Sequence, residues 1–279
     1  MFPERQQGPH REWRAEVEYL DSIFAPNRGA AYTVGKVNGD HWLLYLTNPT
    51  DEQDSTSSSD VETDTDEPRA PPKIINSEEQ DYTLEILMTK LSANARSAFF
   101  FDLKEHATVA DAQAQGDKVS KNLAIDSLFP PDITKLDAYA FSPCGYSANA
   151  LIRPAKGPEG YYTIHVTPEE GWSFASFECN IPVSHYATST EATRTLPDLR
   201  TLVQRVVDIF QPGHLSLTLF ITADDGSCEH EGDGQHHAPV DSAHRAFREA
   251  LGPKGYKRTD KINYEFGGYD LAFASFELR

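Results

Sequence analysis

The feature that most limits the fold of this chain is a series of short runs in which apolar and polar residues alternate, separated by turn residues. Alternation with a period of two is typical of β-strands that bury one face. The runs lie at residues 81–88, 135–141, 147–152, 161–167, 173–179, 216–222, 256–266 and 269–276. Because turns connect most of them and helical segments are few, the sequence predicts an α+β protein with antiparallel sheets and helices on the outer faces.

Helical periodicity is confined to a few segments. Apolar residues spaced by three and four predict helices over residues 13–24 and 198–210. A weaker helical pattern runs over residues 92–129 and is expected to break at Gly116. Near the N-terminus, the turn sequence Asn38-Gly39-Asp40 lies between two β-like runs and predicts a hairpin.

An acidic tract interrupts these patterns. Residues 51–67 include eight carboxylates and no Lys or Arg, a composition that is typical of disordered chain. We interpret residues 51–72 as a disordered surface insertion, either a solvated loop or a segment that is phosphorylated or binds a basic partner.

The charge of the whole chain limits its partners. With 25 Lys and Arg against 43 Asp and Glu, the formal net charge is −18, which argues against binding to nucleic acid or to an anionic membrane. No apolar run approaches the ~20 residues that cross a bilayer, and the N-terminus lacks the apolar core of a secretory signal. The three cysteines do not form a disulfide framework. A cytoplasmic location is therefore expected.

Two constellations could carry chemistry. Asp81, Thr83 and Glu85 share one face of their predicted strand, and Glu178 shares a face of another. These side chains either face water or form a carboxylate cluster, and a cluster would have raised pKa values unless a cation such as a polyamine neutralised it.

The second constellation is Ser147, His165 and Glu169, whose residue types match the nucleophile, base and acid of a hydrolase. The sequence has no Gly-x-Ser-x-Gly turn, and a single His in a strand is more often structural. From these residues alone, both interpretations remain open: a hydrolase triad and a structural histidine.

A possible metal site is less well supported. Potential ligands occur at Cys228, His230, His236, His237 and His244. Their spacing matches no zinc pattern, and the neighbouring glycines predict a mobile loop. We therefore predict no metal site.

Three segments together resemble the eukaryotic S-adenosylmethionine decarboxylase family, of fungal type. They are Thr83-Leu84-Glu85-Ile86-Leu87-Met88, Pro143-Cys144-Gly145-Tyr146-Ser147 and Thr163-Ile164-His165-Val166-Thr167-Pro168-Glu169. The resemblance implies a four-layer α/β/β/α sandwich of two similar halves, with the active site between the sheets. Residues 1–50 would be the tail of the first half, and residues 73–279 the second half, with a loop insertion at about 226–241.

The resemblance also implies an activity. The family makes decarboxylated S-adenosylmethionine for spermidine and spermine synthesis, with a covalent pyruvoyl group as electron sink. Ser147 matches the Ser that assists formation of this group from a Glu-Ser peptide, and His165 matches the base that removes a proton. Phe141 matches the aromatic residue that stacks on adenine, and Glu169 the carboxylate that accepts both ribose hydroxyls.

A putrescine site is implied as well. Its residues would be Asp81, Thr83, Glu85, Glu178, Phe220 and Tyr269. Because the strand-face argument reached the same carboxylates independently, we favour a buried cluster that binds a diamine over a face that looks at water.

One departure from the family is clear, because the sequence contains no Glu-Ser dipeptide. We expect the pyruvoyl serine, the proton-donating Cys and a second adenine-stacking aromatic to lie in an N-terminal segment missing from this chain, or in a full-length homologue. Cys144 cannot be given that role from its residue type alone. The alternatives are an inactive regulatory paralogue and a nucleoside- or polyamine-binding module. We also expect apolar surface on the inner sheet face, and hence a possible homodimer or aggregate.

Overall fold

The structure is a computed structural model that describes residues 6–24, 29–39, 41–47, 82–102, 107–155, 159–183, 196–222, 238–266 and 269–279. The chain divides into two compact units, Met1–Ser77 and Glu78–Arg279. The predicted disordered insertion at residues 51–72 lies outside the described residues, so it stays a prediction.

In the part of the first unit that the structure describes, an α-helix and a hairpin are present, both as predicted. Helix α1 spans Trp13–Ile23, and strands β1, Ala30–Gly35, and β2, His41–Leu46, pair antiparallel. A hydrogen bond joins β2 to α1, because the Tyr45 hydroxyl donates to Asp21 Oδ1 at 2.8 Å.

The described residues of the second unit form one eight-stranded antiparallel sheet with four helices. Its elements are β3 Tyr82–Leu91, α2 Ala93–Ser97, α3 Val109–Asn122, β4 Thr134–Ala140, β5 Tyr146–Ile152, β6 Gly160–Thr167, β7 Phe174–Cys179, α4 Leu199–Phe210, β8 Pro212–Thr222, α5 Ala238–Leu251, β9 Tyr256–Phe266 and β10 Tyr269–Leu278. The strand order is β4-β5-β6-β7-β3-β8-β10-β9. Every strand predicted in this unit is present, which confirms the α+β class.

The helices cover one face of this sheet. In β3, Leu84, Ile86 and Met88 are buried in one core with apolar residues of α3, α4 and α5, whereas the neighbouring Thr83 and Glu85 are only partly buried. We call these the helix-covered face and the open face. The alternation continues through β4–β7. On β8 and β10, two residues of the open face, Thr218 and Phe273, are themselves buried.

The expected helix break at Gly116 is wrong. Gly116 lies inside α3 and is buried, and a Cβ atom there would lie 2.6 Å from the carbonyl carbon of Ala138 in β4. The glycine therefore allows close approach of helix and strand, and the packing outweighs its low helix propensity. A sequence window shows the low propensity but not the strand that the helix packs against.

The predicted loop at about 226–241 ends inside a helix. Residues 238–251 form α5, and His244 is 3% exposed, with its Nε2 atom 2.6 Å from Asn263 Oδ1. The mobile-loop interpretation is therefore wrong for His244, because this histidine is part of a packed helix. Cys228, His230, His236 and His237 lie outside the described residues.

The described residues contain no group of three or more His, Cys, Asp and Glu side chains arranged to hold a metal ion. Within the same residues, no helix combines the length and the apolar character needed to cross a bilayer.

Candidate active site

The predicted acid–base residues lie side by side on the open face. Strand register places Tyr139, Ser147, His165 and Ser176 opposite one another on β4, β5, β6 and β7. Because neighbouring strands are about 4.8 Å apart, side chains on one face of such a row are within contact distance. The Ser147 Oγ atom lies 2.9 Å from His165 Nδ1, so the sheet itself brings this pair together.

The hydrogen bond leaves one imidazole nitrogen available for proton transfer. If the Nδ1–H group donates to Ser147 Oγ, His165 Nε2 carries a lone pair and can accept a proton. The His165 side chain is exposed and Ser147 is half-buried, so a reacting group on the open face can reach both. The pair can therefore act as a hydroxyl and a base beside a bound substrate.

The turn between β4 and β5 presents Phe141. The Phe141 N–H group donates to the Gly145 carbonyl at 2.9 Å, and Gly145 has a φ of +112°, a conformation that L side chains rarely adopt. The Phe141 ring lies 4.9 Å from the Tyr139 ring and is 46% exposed. One side of the ring is thus supported, and enough of it is exposed to stack on a planar ligand.

The turn between β6 and β7 presents Glu169 next to the β4–β5 turn. The pKa of the Cys144 thiol is raised by partial burial and then by the neighbouring Glu169 carboxylate. Cys144 therefore stays protonated at neutral pH, which does not suit a thiolate nucleophile. A hydrolase triad would require the acid to bond the imidazole, whereas the structure pairs Glu169 with Cys144.

The predicted putrescine residues also share the open face. Glu85 of β3 lies opposite Glu178 of β7, and Thr83 lies opposite Phe220 of β8. Tyr269 of β10 pairs with position 222, two residues from Phe220, and so lies on the same face. Asp81 lies outside the described residues.

The two glutamates form a close like-charge pair. The pKa of Glu85 is raised, chiefly by burial and then by Glu178. Glu178 accepts a hydrogen bond from the Tyr161 hydroxyl at 2.5 Å, and this bond, followed by burial, raises the pKa of Tyr161 to about 12. Such a cluster has a deficit of positive charge that a bound cation would fill.

Sequence reasoning missed Tyr161. Its position on β6, two residues before Thr163 and four before His165, places it on the open face. The alternation of residues in this segment is enough to assign Tyr161 to that face. It does not predict the contact with Glu178, because that contact depends on the register between β6 and β7.

A shallow surface pocket lies away from these residues. It is lined by Asp132, Ile133, Thr134, Lys135, Leu151 and Arg153. Leu151 is four residues along β5 from Ser147, which corresponds to about 13 Å of strand. The pocket therefore does not coincide with the candidate active site.

Comparison with known proteins identifies relatives that span more than this chain. The chain is similar to S-adenosylmethionine decarboxylase proenzymes from Saccharomyces cerevisiae (34% identity over 234 residues; 79% of this chain and 52% of the relative) and Xenopus laevis (32% over 276 residues; 99% and 62%). A third, from Drosophila melanogaster, is 30% identical over 279 residues (98% and 64%). The chain thus matches between 52% and 64% of the length of these relatives.

A solved structure supports the fold. The crystal structure of a Trypanosoma brucei AdoMetDC-delta26 monomer matches with a TM-score of 0.54 and 20% identity, over 100% of this chain and 81% of that chain. The sequence model described as adenosylmethionine decarboxylase matches residues 1–277. The chain therefore belongs to the adenosylmethionine decarboxylase family.

Proposed function

We propose that this chain provides the substrate-binding and acid–base residues of an S-adenosylmethionine decarboxylase, which supplies decarboxylated S-adenosylmethionine for spermidine and spermine synthesis. The observation that carries the proposal is the Ser147–His165 pair, 2.9 Å apart on the open face. Phe141 and Glu169 lie on two turns at the same end of the sheet, because Tyr146 pairs with Val166 at the start of β5 and the end of β6.

The two turns suit a nucleoside with a positive charge. The half-exposed Phe141 ring can stack on adenine, and the Glu169 carboxylate can accept hydrogen bonds from both ribose hydroxyls. A sulfonium centre is favoured by an acidic surround, and the chain has a net charge of −18.

The family's pyruvoyl group is compatible with the residues on the open face. When present, this group supplies a carbonyl that withdraws electrons from the substrate as carbon dioxide leaves. Ser147 and His165 would lie beside it, since their side chains are the hydroxyl and imidazole that reach the open face together. In this assignment Ser147 Oγ fixes the orientation of the imidazole, and His165 Nε2 holds or transfers one proton.

Substrate binding is tested by calorimetric titration with S-adenosylmethionine. We expect the wild-type chain to bind, and Glu169→Gln to bind about tenfold more weakly or worse because a charged acceptor is lost. Phe141→Ala should also weaken binding. Glu265→Gln, which changes an exposed carboxylate on β9, is the control and should bind as the wild type does. A cooperatively melting wild-type chain without affinity for S-adenosylmethionine would overturn the proposal.

Activity needs a separate measurement. The protein is purified from its own cells with any polypeptide that remains associated, and labelled carbon dioxide is collected from carboxyl-labelled S-adenosylmethionine. We expect release that is lost in His165→Ala. Binding without release would contradict the decarboxylase assignment and identify a nucleoside-binding module.

We further propose that the open-face carboxylates bind putrescine. Glu85 and Glu178 are adjacent, and a diamine offers two ammonium groups to a site with two carboxylates. Putrescine should raise the melting temperature of the wild-type chain, whereas butylamine, with one ammonium group, should raise it less. The same putrescine effect in Glu85→Gln would contradict the proposal.

A further inference from the structure

The segment at residues 92–101, which includes α2, contacts both turns of the candidate active site. The Phe101 N–H group donates to the Pro143 carbonyl at 2.8 Å, and the Gly145 N–H group donates to the Phe99 carbonyl at 3.0 Å. These backbone bonds attach the segment to the β4–β5 turn, which presents Phe141.

The same segment reaches the β6–β7 turn through a side chain. Arg96 Nη1 lies 3.5 Å from the Pro168 carbonyl oxygen, and Arg96 Nη2 lies 3.9 Å from Glu170 Oε1. Pro168 and Glu170 are the two neighbours of Glu169 in the chain. The guanidinium therefore contacts the backbone on one side of Glu169 and the side chain on the other.

The burial of Arg96 indicates that these contacts matter. Its side chain is 15% exposed, and a guanidinium withdrawn from water needs acceptors for its N–H groups. The helix that carries Arg96 is itself held in place, because Ser92 Oγ accepts from the Ala95 N–H group at 3.1 Å and donates to Gln211 Oε1 at 2.8 Å. Arg96 thus extends from an anchored helix to the turn that presents Glu169.

We infer that Arg96 is a positioning residue, which holds the β6–β7 turn so that the Glu169 carboxylate faces the substrate ribose. It acts through the turn and does not touch the substrate. Since the same segment is bonded to the β4–β5 turn, it fixes the spacing between the base-stacking ring of Phe141 and the ribose acceptor. The substrate side of this inference rests on the proposed function.

Nucleoside binding provides the first test. Calorimetric titrations compare 5′-methylthioadenosine with its 2′-deoxy analogue on the wild-type chain, Arg96→Met and Arg96→Lys. Arg96→Met should bind the ribonucleoside about tenfold more weakly and the deoxy analogue by a smaller factor, because the ribonucleoside donates two hydrogen bonds to Glu169 and the deoxy analogue only one. Arg96→Lys should recover part of the loss.

The control is Arg200→Met, which removes an exposed arginine from α4 and should leave both affinities unchanged. Equal weakening of both nucleosides in Arg96→Met would indicate general loosening of the site and would overturn the inference.

A second test does not depend on nucleoside binding. Alkylation of Cys144 by iodoacetamide at neutral pH is followed on its peptide by mass spectrometry. Loss of the Arg96 charge alone would disfavour the thiolate and slow alkylation, whereas displacement of Glu169 would remove the carboxylate that raises the Cys144 pKa. We expect severalfold faster alkylation in both Arg96→Met and Glu169→Gln.

The double variant distinguishes positioning from loosening. If Arg96 acts through Glu169, Arg96→Met adds no further acceleration to Glu169→Gln. Slower alkylation in Arg96→Met, or additive acceleration in the double variant, overturns the inference. If the wild-type chain binds no nucleoside, the proposed function fails, and the Cys144 rates still decide whether Arg96 positions Glu169.

Discussion

The two faces of the sheet in β3–β7 are made by the same strands but have different chemistry. On the helix-covered face, Ile86, Ile164 and Phe177 are fully buried. On the open face, the residues next to them in sequence include His165 and Ser176, which are exposed or half-buried. The buried face determines how the chain folds, and many apolar residues of suitable size would serve there. The open face requires particular polar groups, because hydrogen bonds and proton transfer depend on residue type.

The largest expected effect comes from a pair of neighbours on opposite faces. Phe177 is 0% exposed and its ring lies 5.9 Å from that of Tyr162, so Phe177→Ala should lower the free energy of unfolding by about 3–5 kcal/mol. Ser176→Ala should change it by no more than about 0.5 kcal/mol. Urea denaturation of both variants measures the difference. Similar losses in the two variants would contradict the distinction between the faces.

A polar residue in the helix layer should produce a smaller, pH-dependent effect. His244 in α5 is buried, and its pKa is lowered from 6.5 to about 4, first by burial and then by Lys261 and Arg258, against the opposing effects of Asn263 and Asp241. The folded state therefore favours the neutral ring. Its contribution is present above pH 6.5, the ordinary pKa, and is lost as the pH falls from there toward 4.

The measurement is chemical denaturation between about pH 7 and about pH 5. In this range the ring gains a proton in most unfolded chains but in few folded ones, so the expected loss of unfolding free energy from this residue is roughly 1–2 kcal/mol. His244→Gln should reduce the slope against pH, whereas His41→Gln, at an exposed position of β2, should leave it unchanged. Equal slopes in wild type and His244→Gln would show that the ring does not titrate in this way.

The sequence predicted the strands and their faces because alternation is a local pattern. Glu85 was assigned to the polar face of β3 from its neighbours alone, and the structure places it there. Ser147 and His165 were grouped first as the nucleophile and base of a hydrolase and then through the family resemblance, and the register of β5 and β6 supplies their contact.

The features that were missed depend on distant parts of the chain. Glycine has a low helix propensity, and only the close approach of the β4 backbone explains why Gly116 lies inside α3. The contact between Tyr161 and Glu178 depends on how two strands are aligned. The contact between Arg96 and the turn that carries Glu169 joins residues far apart in sequence. Neither follows from periodicity within one segment.

The smallest expected effect tests the open face. The pKa of Glu85 is raised by burial and by Glu178, so the folded state favours the protonated form. This contribution is fully present below the unfolded pKa and is lost as the pH rises through the folded pKa. At neutral pH, Glu85→Gln should therefore raise the free energy of unfolding by about 0.5–1 kcal/mol, because it removes a like charge directly opposite Glu178.

Denaturation at neutral and at acidic pH measures this change, and the gain should vanish in acid, where Glu85 is protonated. Glu178→Gln relieves the same repulsion but gives the Tyr161 hydroxyl an uncharged acceptor, so its gain should be smaller. If putrescine occupies the site, saturating diamine should stabilise the wild type so that its free energy of unfolding exceeds that of Glu85→Gln. A carboxylate pair that is costly when empty and favourable when filled is expected of a binding site, and a gain from Glu85→Gln that putrescine does not alter would mark it as a strained surface pair.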